Sequence, residues 1–154
     1  MKIGDKLPSF QSTTDENTVF DSTSLNGKYS VFYFYPKDDT PGCTAQACQF
    51  RDSFQDFIDN DILVFGISGD SPDKHKKFKE KHRLPYTLLS DSNNQLRKLF
   101  QVPSSLFGLI PGRVTYVFDP HSKLIYSFNS QLEIQKHISS CLAVIDQDNK
   151  REEH

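Results

Sequence analysis

The chain has 154 residues, of which 36% are hydrophobic and 25% charged, and its formal net charge is −2 at pH 7. This length and composition suit one domain, residues 1–154, with a sizeable hydrophobic core. The nearly neutral charge gives no electrostatic reason to expect nucleic acid or a membrane surface as a partner, and no apolar run approaches the length of a membrane span.

The cysteine count and the N-terminus favour a reducing compartment. Three cysteines, an odd number, suit a catalytic thiol in the cytosol better than the disulfide framework of a secreted protein. The first residues contain no apolar signal segment. We therefore expect a cytoplasmic protein, or a protein of the plastid stroma from which a transit peptide has been removed.

Strand and helix patterns alternate along the chain. Aromatic and β-branched residues predict a buried strand over 30–35, and the helix that follows it carries an apolar stripe to about residue 60. A continuous apolar run predicts the next strand over 62–68. Ser71 and Pro72 signal the start of a strongly basic helix over 74–82.

The second half continues the alternation. Its predicted elements are a short strand over 86–90, a capped helix over 91–100, a hairpin of strands 114–118 and 124–128, and a closing helix over 133–145. Cys141 lies on the apolar face of the closing helix and is predicted to be buried packing. The polar tail, residues 146–154, is expected to fray. This order predicts an α/β fold with a central mixed β-sheet flanked by helices.

An apolar segment, 106–110, precedes the hairpin. It is predicted either to wall a pocket or to cover the core as an ordinary loop.

The start of the first helix indicates a reactive thiol. Thr40 is a good N-cap, and Pro41 suits the first helical position because its missing N–H is not needed there. Cys43 then falls in the first turn. Backbone N–H groups and the helix dipole favour an anion at that place, which stabilises the nucleophilic thiolate.

A second cysteine follows five positions later. Cys48 lies roughly 140° around the helix from Cys43, on the polar face, with the two Cα atoms about 8–9 Å apart. This separation is beyond the reach of a disulfide. Bonding the two thiols would require the first turns of the helix to unwind, which suggests a redox cycle with a conformational step.

Two other kinds of cysteine site fit less well. Structural zinc sites use a second pair of ligands, and the spacing of His75, His82 and His121 does not supply one. The CxxC signature of a dithiol oxidoreductase is absent, which argues against a general disulfide reductase. We therefore predict neither a metal nor a cofactor.

The residues around Cys43 resemble a known family. Pro36, Thr40 and Cys43 stand in the pattern PxxxTxxC, which is the active-site signature of the peroxiredoxins. The longer segment 35–52 resembles the Q-type branch, also called bacterioferritin-comigratory protein, and segment 111–119 resembles the one that carries the catalytic arginine of that family. The resemblance covers nearly the whole chain and implies a thioredoxin-like fold.

The resemblance also selects a cation for the site. From spacing alone, Lys37, Arg51 and Arg113 could each approach Cys43. The family match favours Arg113, whose guanidinium would stabilise the thiolate and bind peroxide through parallel N–H bonds.

Three neighbours complete the expected pocket. The backbone N–H groups of Gly42 and Cys43 are expected to bind the peroxide oxygens at the helix start. Thr40 offers a hydroxyl, or serves only as the N-cap, or does both. Pro36 is expected to shape and shield the pocket, or only to end the preceding strand.

The resemblance implies a thiol-dependent peroxidase with an antioxidant role. Cys43, the peroxidatic residue, would reduce hydrogen peroxide and organic hydroperoxides and become a sulfenic acid. Cys48, the resolving residue, would form a disulfide with it, which thioredoxin or a similar dithiol would reduce. A monomer is implied. The alternative is a redox sensor or binding protein that the same disulfide switches.

Overall fold

The structure is a computed structural model, and it describes residues 1–25, 27–105 and 110–152. The strands in these ranges are β1 (Gln11–Thr14), β2 (Val19–Asp21), β3 (Tyr29–Phe34), β4 (Ile62–Ser68), β5 (Thr87–Ser90), β6 (Ser104–Ser105), β7 (Ile110–Pro111), β8 (Val114–Phe118) and β9 (Leu124–Asn129). The α-helices there are α1 (Pro41–Asp52), α2 (Phe54–Asp59), α3 (Pro72–His82), α4 (Gln95–Leu99) and α5 (Ile134–Glu152).

One mixed sheet forms the centre of the molecule. Its strand order is β2-β1-β5-β4-β3-β8-β9. Strand β3 pairs in parallel with β4 and antiparallel with β8, and β4 pairs in parallel with β5. The predicted mixed sheet with flanking helices is therefore confirmed, and β3, which leads into the Cys43 helix, lies inside the sheet.

Strand β3 is buried on both faces. Val31, Tyr33 and Tyr35 point to the side on which residues of α1, α2, α3 and α5 pack, whereas Phe32 and Phe34 point to the side of α4. The alternation follows from the two-residue repeat of a strand. Aromatic side chains on both faces bury large apolar areas, which stabilises the strand that ends at the site.

The N-terminal hairpin was not predicted. Strand β1 has the sequence QSTT, which lacks an apolar pattern, and it pairs with β2 and β5. Its polar side chains are hydrogen-bonded: the Ser12 hydroxyl donates to the Ser90 carbonyl over 2.8 Å, and Thr14 bonds to Thr18 over 2.7 Å. A polar strand of this kind gives no periodic signal in the sequence.

Three predicted helices differ in their extent. The helix expected to run to about residue 60 is broken at Ser53, whose ψ of 4° separates α1 from α2. The helix expected over 91–100 consists of a 3₁₀ turn followed by α4, Gln95–Leu99. Helix α5 continues to Glu152, so the expectation of a frayed tail from Asp146 is wrong up to that residue. Within the described ranges, no helix is long and apolar enough to cross a membrane.

Candidate active site

Cys43 lies in the first turn of α1 and is 1% exposed. The first intrahelical bond of α1 runs from the Thr44 N–H to the Thr40 carbonyl over 2.8 Å. The N–H groups of Gly42 and Cys43 precede that bond, and the first N–H groups of a helix have no intrahelical acceptor. The sulfur therefore lies beside backbone donors at the positive end of a helix dipole.

The guanidinium of Arg113 contacts the Cys43 sulfur. Arg113 is 4% exposed, and its Nη2 lies 3.2 Å from Sγ. A Cβ added at Gly42 would lie 3.2 Å from the same Nη2, so glycine leaves room for the guanidinium. Of the other two candidates, Lys37 is exposed, and Arg51 is bonded to Asp52 and to the His82 carbonyl. Arg113 is the candidate cation that the structure brings to the thiol.

Gln46 is a site residue that the sequence analysis missed. It is fully buried one turn after Cys43, and its Oε1 accepts a 2.5 Å hydrogen bond from Arg113 Nη1. The guanidinium is thus held by the glutamine while it contacts the sulfur. The signal that could have found Gln46 is its i+3 spacing from Cys43, which places both side chains on the same side of the helix.

Two buried donors at this site lack an acceptor in the part of the chain that the structure describes. They are Arg113 Nε and Gln46 Nε2. Buried donors in proteins are nearly always paired. A small oxygen-bearing ligand that reaches them would satisfy both.

Thr40 occupies the predicted N-cap position, with φ −93° and ψ 152°. Its hydroxyl makes no capping bond and instead donates to the Lys37 carbonyl over 2.9 Å. The oxygen lone pairs remain able to accept a hydrogen bond from a ligand. Pro36 precedes this loop and is partly buried.

The two other thiols have different surroundings. Cys48 lies in the same unbroken helix as Cys43, and its side chain is partly exposed. It interacts electrostatically with Arg51 and Tyr86. Cys141 is fully buried and donates to the His137 carbonyl over 2.9 Å, and burial raises the pKa of its thiol. The prediction that Cys141 is buried packing is confirmed.

A hydrogen-bonded pair of buried tyrosines stabilises the middle of α1. The Tyr86 hydroxyl donates to the Ala47 carbonyl over 2.9 Å and lies 2.7 Å from the Tyr33 hydroxyl. Because a carbonyl only accepts, Tyr33 must donate to Tyr86. Burial raises the pKa of both phenols, so both keep the protons that these bonds need. The bond to Ala47 holds the segment between Cys43 and Cys48.

A buried polar cluster supports the loop between β3 and α1. His75 Nδ1 lies 2.7 Å from Asp38 Oδ2, Tyr35 donates to the same carboxylate, and the Asp38 N–H donates to Asp70 over 2.8 Å. Asp38, Asp70 and His75 are the one group of possible metal ligands found among the described residues, and these hydrogen bonds already engage their ligand atoms. The sequence analysis considered His75 only as a metal ligand and missed this supporting role.

A buried histidine supports the strand that follows Arg113. His137 Nε2 donates to the Ser130 carbonyl over 2.8 Å, so Nδ1 accepts from the Thr115 hydroxyl over 2.7 Å. The Ser130 N–H in turn donates to the Arg113 carbonyl over 3.1 Å. This arrangement requires a neutral imidazole.

Mild acid should therefore weaken the fold through His137. Burial lowers the pKa of His137 from 6.5 to about 4. Below pH 6.5 the unfolded chain takes up this proton before the folded protein does, so the free energy of unfolding should fall by about 2–3 kcal/mol as the pH drops to 4. Urea unfolding at several pH values measures this loss.

The matched control for that measurement is His137→Gln, because a neutral amide can replace both hydrogen bonds. The variant should lose less stability than the wild type over the same pH interval. Equal losses in the two proteins would show that His137 is not responsible.

The apolar segment 106–110, predicted to wall a pocket or cover the core, lies outside the described residues except for Ile110.

The chain is similar to known proteins over most of its length. Residues 3–127 match the AhpC/TSA family. The chain is 44% identical over 142 residues to a protein of Oryza sativa subsp. indica named putative peroxiredoxin Q, chloroplastic, and the match covers 92% of this chain and 65% of the rice protein. It is 46% identical over 142 residues to peroxiredoxin Q, chloroplastic, of Populus jackii, covering 92% of this chain and 67% of that protein.

The fold is also that of a solved structure. Peroxidoxin BcpB from Mycobacterium tuberculosis superposes with a TM-score of 0.87 at 33% identity, over 96% of this chain and 97% of that chain. This match confirms the expected thioredoxin-like fold. The chain spans only 65% of the length of the rice relative, so the match concerns the shared domain.

Proposed function

Because the chain belongs to the AhpC/TSA family of peroxiredoxins, we propose that it is a thiol-dependent peroxidase in which Cys43 is the nucleophile. The contact between the Cys43 sulfur and Arg113 Nη2, at 3.2 Å, carries this proposal. A buried guanidinium beside a thiol at a helix start favours the thiolate, and it also offers donors to a peroxide.

The first step is oxygen transfer to sulfur. The Cys43 thiolate attacks one peroxide oxygen, the O–O bond breaks, and the departing oxygen takes a proton to leave as water or an alcohol. Negative charge develops on that oxygen. We propose that the N–H groups of Gly42 and Cys43 stabilise it, together with the two unpaired donors Arg113 Nε and Gln46 Nε2. The Thr40 hydroxyl would accept a hydrogen bond from the O–H group of the bound peroxide.

The second step joins the two thiols. The Cys48 thiol attacks the sulfenic acid of Cys43, a disulfide forms, and water leaves. Both cysteines belong to one unbroken helix, so the first turns of α1 must unwind. The bonds of Tyr86 to Ala47 and of Arg113 to Gln46 must break as well.

A thioredoxin-like dithiol would then reduce the disulfide and restore both thiols. We propose the cytoplasm, or the plastid stroma, since the plant relatives are named chloroplastic. A monomer is the proposed state, which light scattering of the purified protein tests.

Stopped-flow oxidation of the reduced protein tests the proposal. Hydrogen peroxide, an alkyl hydroperoxide and a lipid hydroperoxide are mixed with the protein in separate runs, and mass spectrometry then identifies the linked cysteines. Rapid consumption coupled to thioredoxin and its reductase supports the enzyme. Slow oxidation without turnover would instead favour a redox sensor.

Replacement of the resolving thiol separates the two steps. In a Cys48→Ser protein we expect the first oxidation to keep its rate within about twofold, because Cys48 takes no part in the attack on peroxide. Recycling by thioredoxin should stop, since serine cannot condense to a disulfide. The sulfenic acid should then accumulate and be trapped by dimedone.

Cys141→Ala is the matched control, because it also removes one thiol but leaves the proposed pair intact. Its turnover should equal that of the wild type. Steady turnover of Cys48→Ser with thioredoxin would remove Cys48 from the resolving role.

A further inference from the structure

Arg97 joins two parts of the active site that are far apart in sequence. It lies on α4, on the opposite side of the sheet from α1, and it is partly buried with its guanidinium 5.7 Å from the Phe34 ring centre. Its Nη2 donates to the Tyr35 carbonyl over 2.8 Å and its Nη1 to the Gly112 carbonyl over 3.0 Å. One planar group therefore bridges two backbone segments.

Each of these carbonyls lies next to a catalytic element. Tyr35 is the last residue before Pro36 and begins the loop that leads to Cys43. Gly112 directly precedes Arg113. The planar guanidinium of Arg97 holds the two carbonyls at a set distance from each other. This distance in turn helps to fix how far the Cys43 thiol lies from the Arg113 guanidinium that contacts it.

The backbone around Arg113 is tightly enclosed at this point. A Cβ at Gly112 would lie 1.8 Å from the Pro103 carbonyl oxygen, so this backbone approaches the chain that leaves α4 as closely as glycine allows. On its other side, the Arg113 carbonyl accepts from the Ser130 N–H over 3.1 Å. Arg97 supplies the only side-chain bond that the described residues show to the Gly112 carbonyl.

Arg97 is itself held in place by α4. The Asp91 carboxylate accepts the N–H groups of Leu96 and Arg97 over 2.6 and 3.1 Å, which fixes the start of this short helix. Burial lowers the pKa of Arg97, whereas Asp91 and then Cys43 raise it through electrostatic attraction.

We propose that Arg97 is a positioning residue for the reaction at Cys43, which sets the spacing between the loop that carries the thiol and the backbone that carries Arg113. The inference rests on the proposed peroxidase function and extends it to a residue that touches neither the thiol nor the peroxide.

Two substitutions test the positioning role. Arg97→Met removes the whole guanidinium, and Arg97→Lys keeps the charge but loses the planar arrangement of two donors. The matched control is Lys98→Met, which removes a positive charge from the next, exposed residue. Each protein is first checked for native circular dichroism, and the rate of Cys43 oxidation by hydrogen peroxide is then measured from pH 5 to pH 9 by stopped flow.

We expect Arg97→Met to slow oxidation at neutral pH by about tenfold to a hundredfold. Its rate profile should move to higher pH, because Arg113 would be held less firmly beside the sulfur. Arg97→Lys should react several-fold more slowly than the wild type. Lys98→Met should match the wild type in both respects.

An Arg97→Lys protein that reacts as fast as the wild type would overturn the positioning role, and this variant decides the question if Arg97→Met does not fold. A folded Arg97→Met protein with the rate and the pH profile of the wild type would overturn it as well. Slow or absent oxidation of the wild type itself would instead refute the proposed function. The two failures are therefore distinguishable in one experiment.

Discussion

A Cys43→Ser protein should lose peroxide reduction by at least about 10⁴-fold, the order of loss seen when an enzyme loses its nucleophile. A serine hydroxyl is not ionised at neutral pH, and it cannot accept an oxygen atom as sulfur does. The fold should persist, because the change replaces one buried atom at the start of α1. Peroxide consumption in the coupled thioredoxin assay measures the loss.

The same single-atom change at Cys48 is the control for this experiment. Both cysteines lie on α1, but only Cys43 contacts Arg113. Cys48→Ser should still consume one peroxide per molecule in a single turnover, whereas Cys43→Ser should consume none. If Cys43→Ser is oxidised as fast as the wild type, another residue is the nucleophile.

The second large effect is expected from Arg113→Met. Methionine fills much of the same volume but removes the donors that face the sulfur and the charge that favours the thiolate. We expect the rate of Cys43 oxidation to fall by about 10²–10³-fold, as for the removal of one donor from a preorganised site. Some loss of stability should accompany it, because Gln46 Oε1 would be left without its buried partner.

Lys37→Met serves as the comparison, since it removes a positive charge close to Cys43 in sequence from a side chain that is exposed. Its oxidation rate should stay within about twofold of the wild type, as expected for a screened surface charge. Arg113→Lys should recover part of the lost rate by restoring the charge without the fork. An Arg113→Met protein with an unchanged rate would show that the contact with the sulfur is not functional.

The central strands of the sheet were predictable because buried strands are rich in apolar, aromatic and β-branched residues, which the sequence shows directly. Strands β4 and β8 have the predicted bounds, β3 is shifted by one residue at both ends, and β9 is one residue longer than predicted. The missed hairpin of β1 and β2 has polar residues whose pairing depends on β5, more than 70 residues away. A strand that is stabilised by such a distant partner leaves no local pattern.

Helix ends were the least predictable feature. Ser53 interrupts the apolar stripe of α1 and α2 although Phe50 and Phe57 both stay buried, so the periodicity gave no sign of the break. The polar end of α5 is helical without an apolar face to indicate it. An ion pair between Lys150 and Asp146 at 3.1 Å, spaced i to i+4, supports that last part.

The residues of the candidate site also fall into two groups, those that the sequence indicated and those that it did not. Cys43 and Thr40 were recognisable because the helix start is a local motif, and Arg113 because the family resemblance extends to its segment. Gln46 and Arg97 were missed because their roles depend on which backbone or side chain the fold brings to them. Such roles arise from contacts between residues more than 60 positions apart, which no spacing rule encodes.

The bond from Tyr86 to Ala47 has a consequence for the lifetime of the oxidised thiol. After the first oxidation, the sulfenic acid of Cys43 stays in the folded pocket until the first turns of α1 unwind. During that delay a second peroxide can convert it to a sulfinic acid, which a dithiol does not reduce. The strength of the bond from the Tyr86 phenol to α1 thus helps to determine how much of the protein a high concentration of oxidant inactivates permanently.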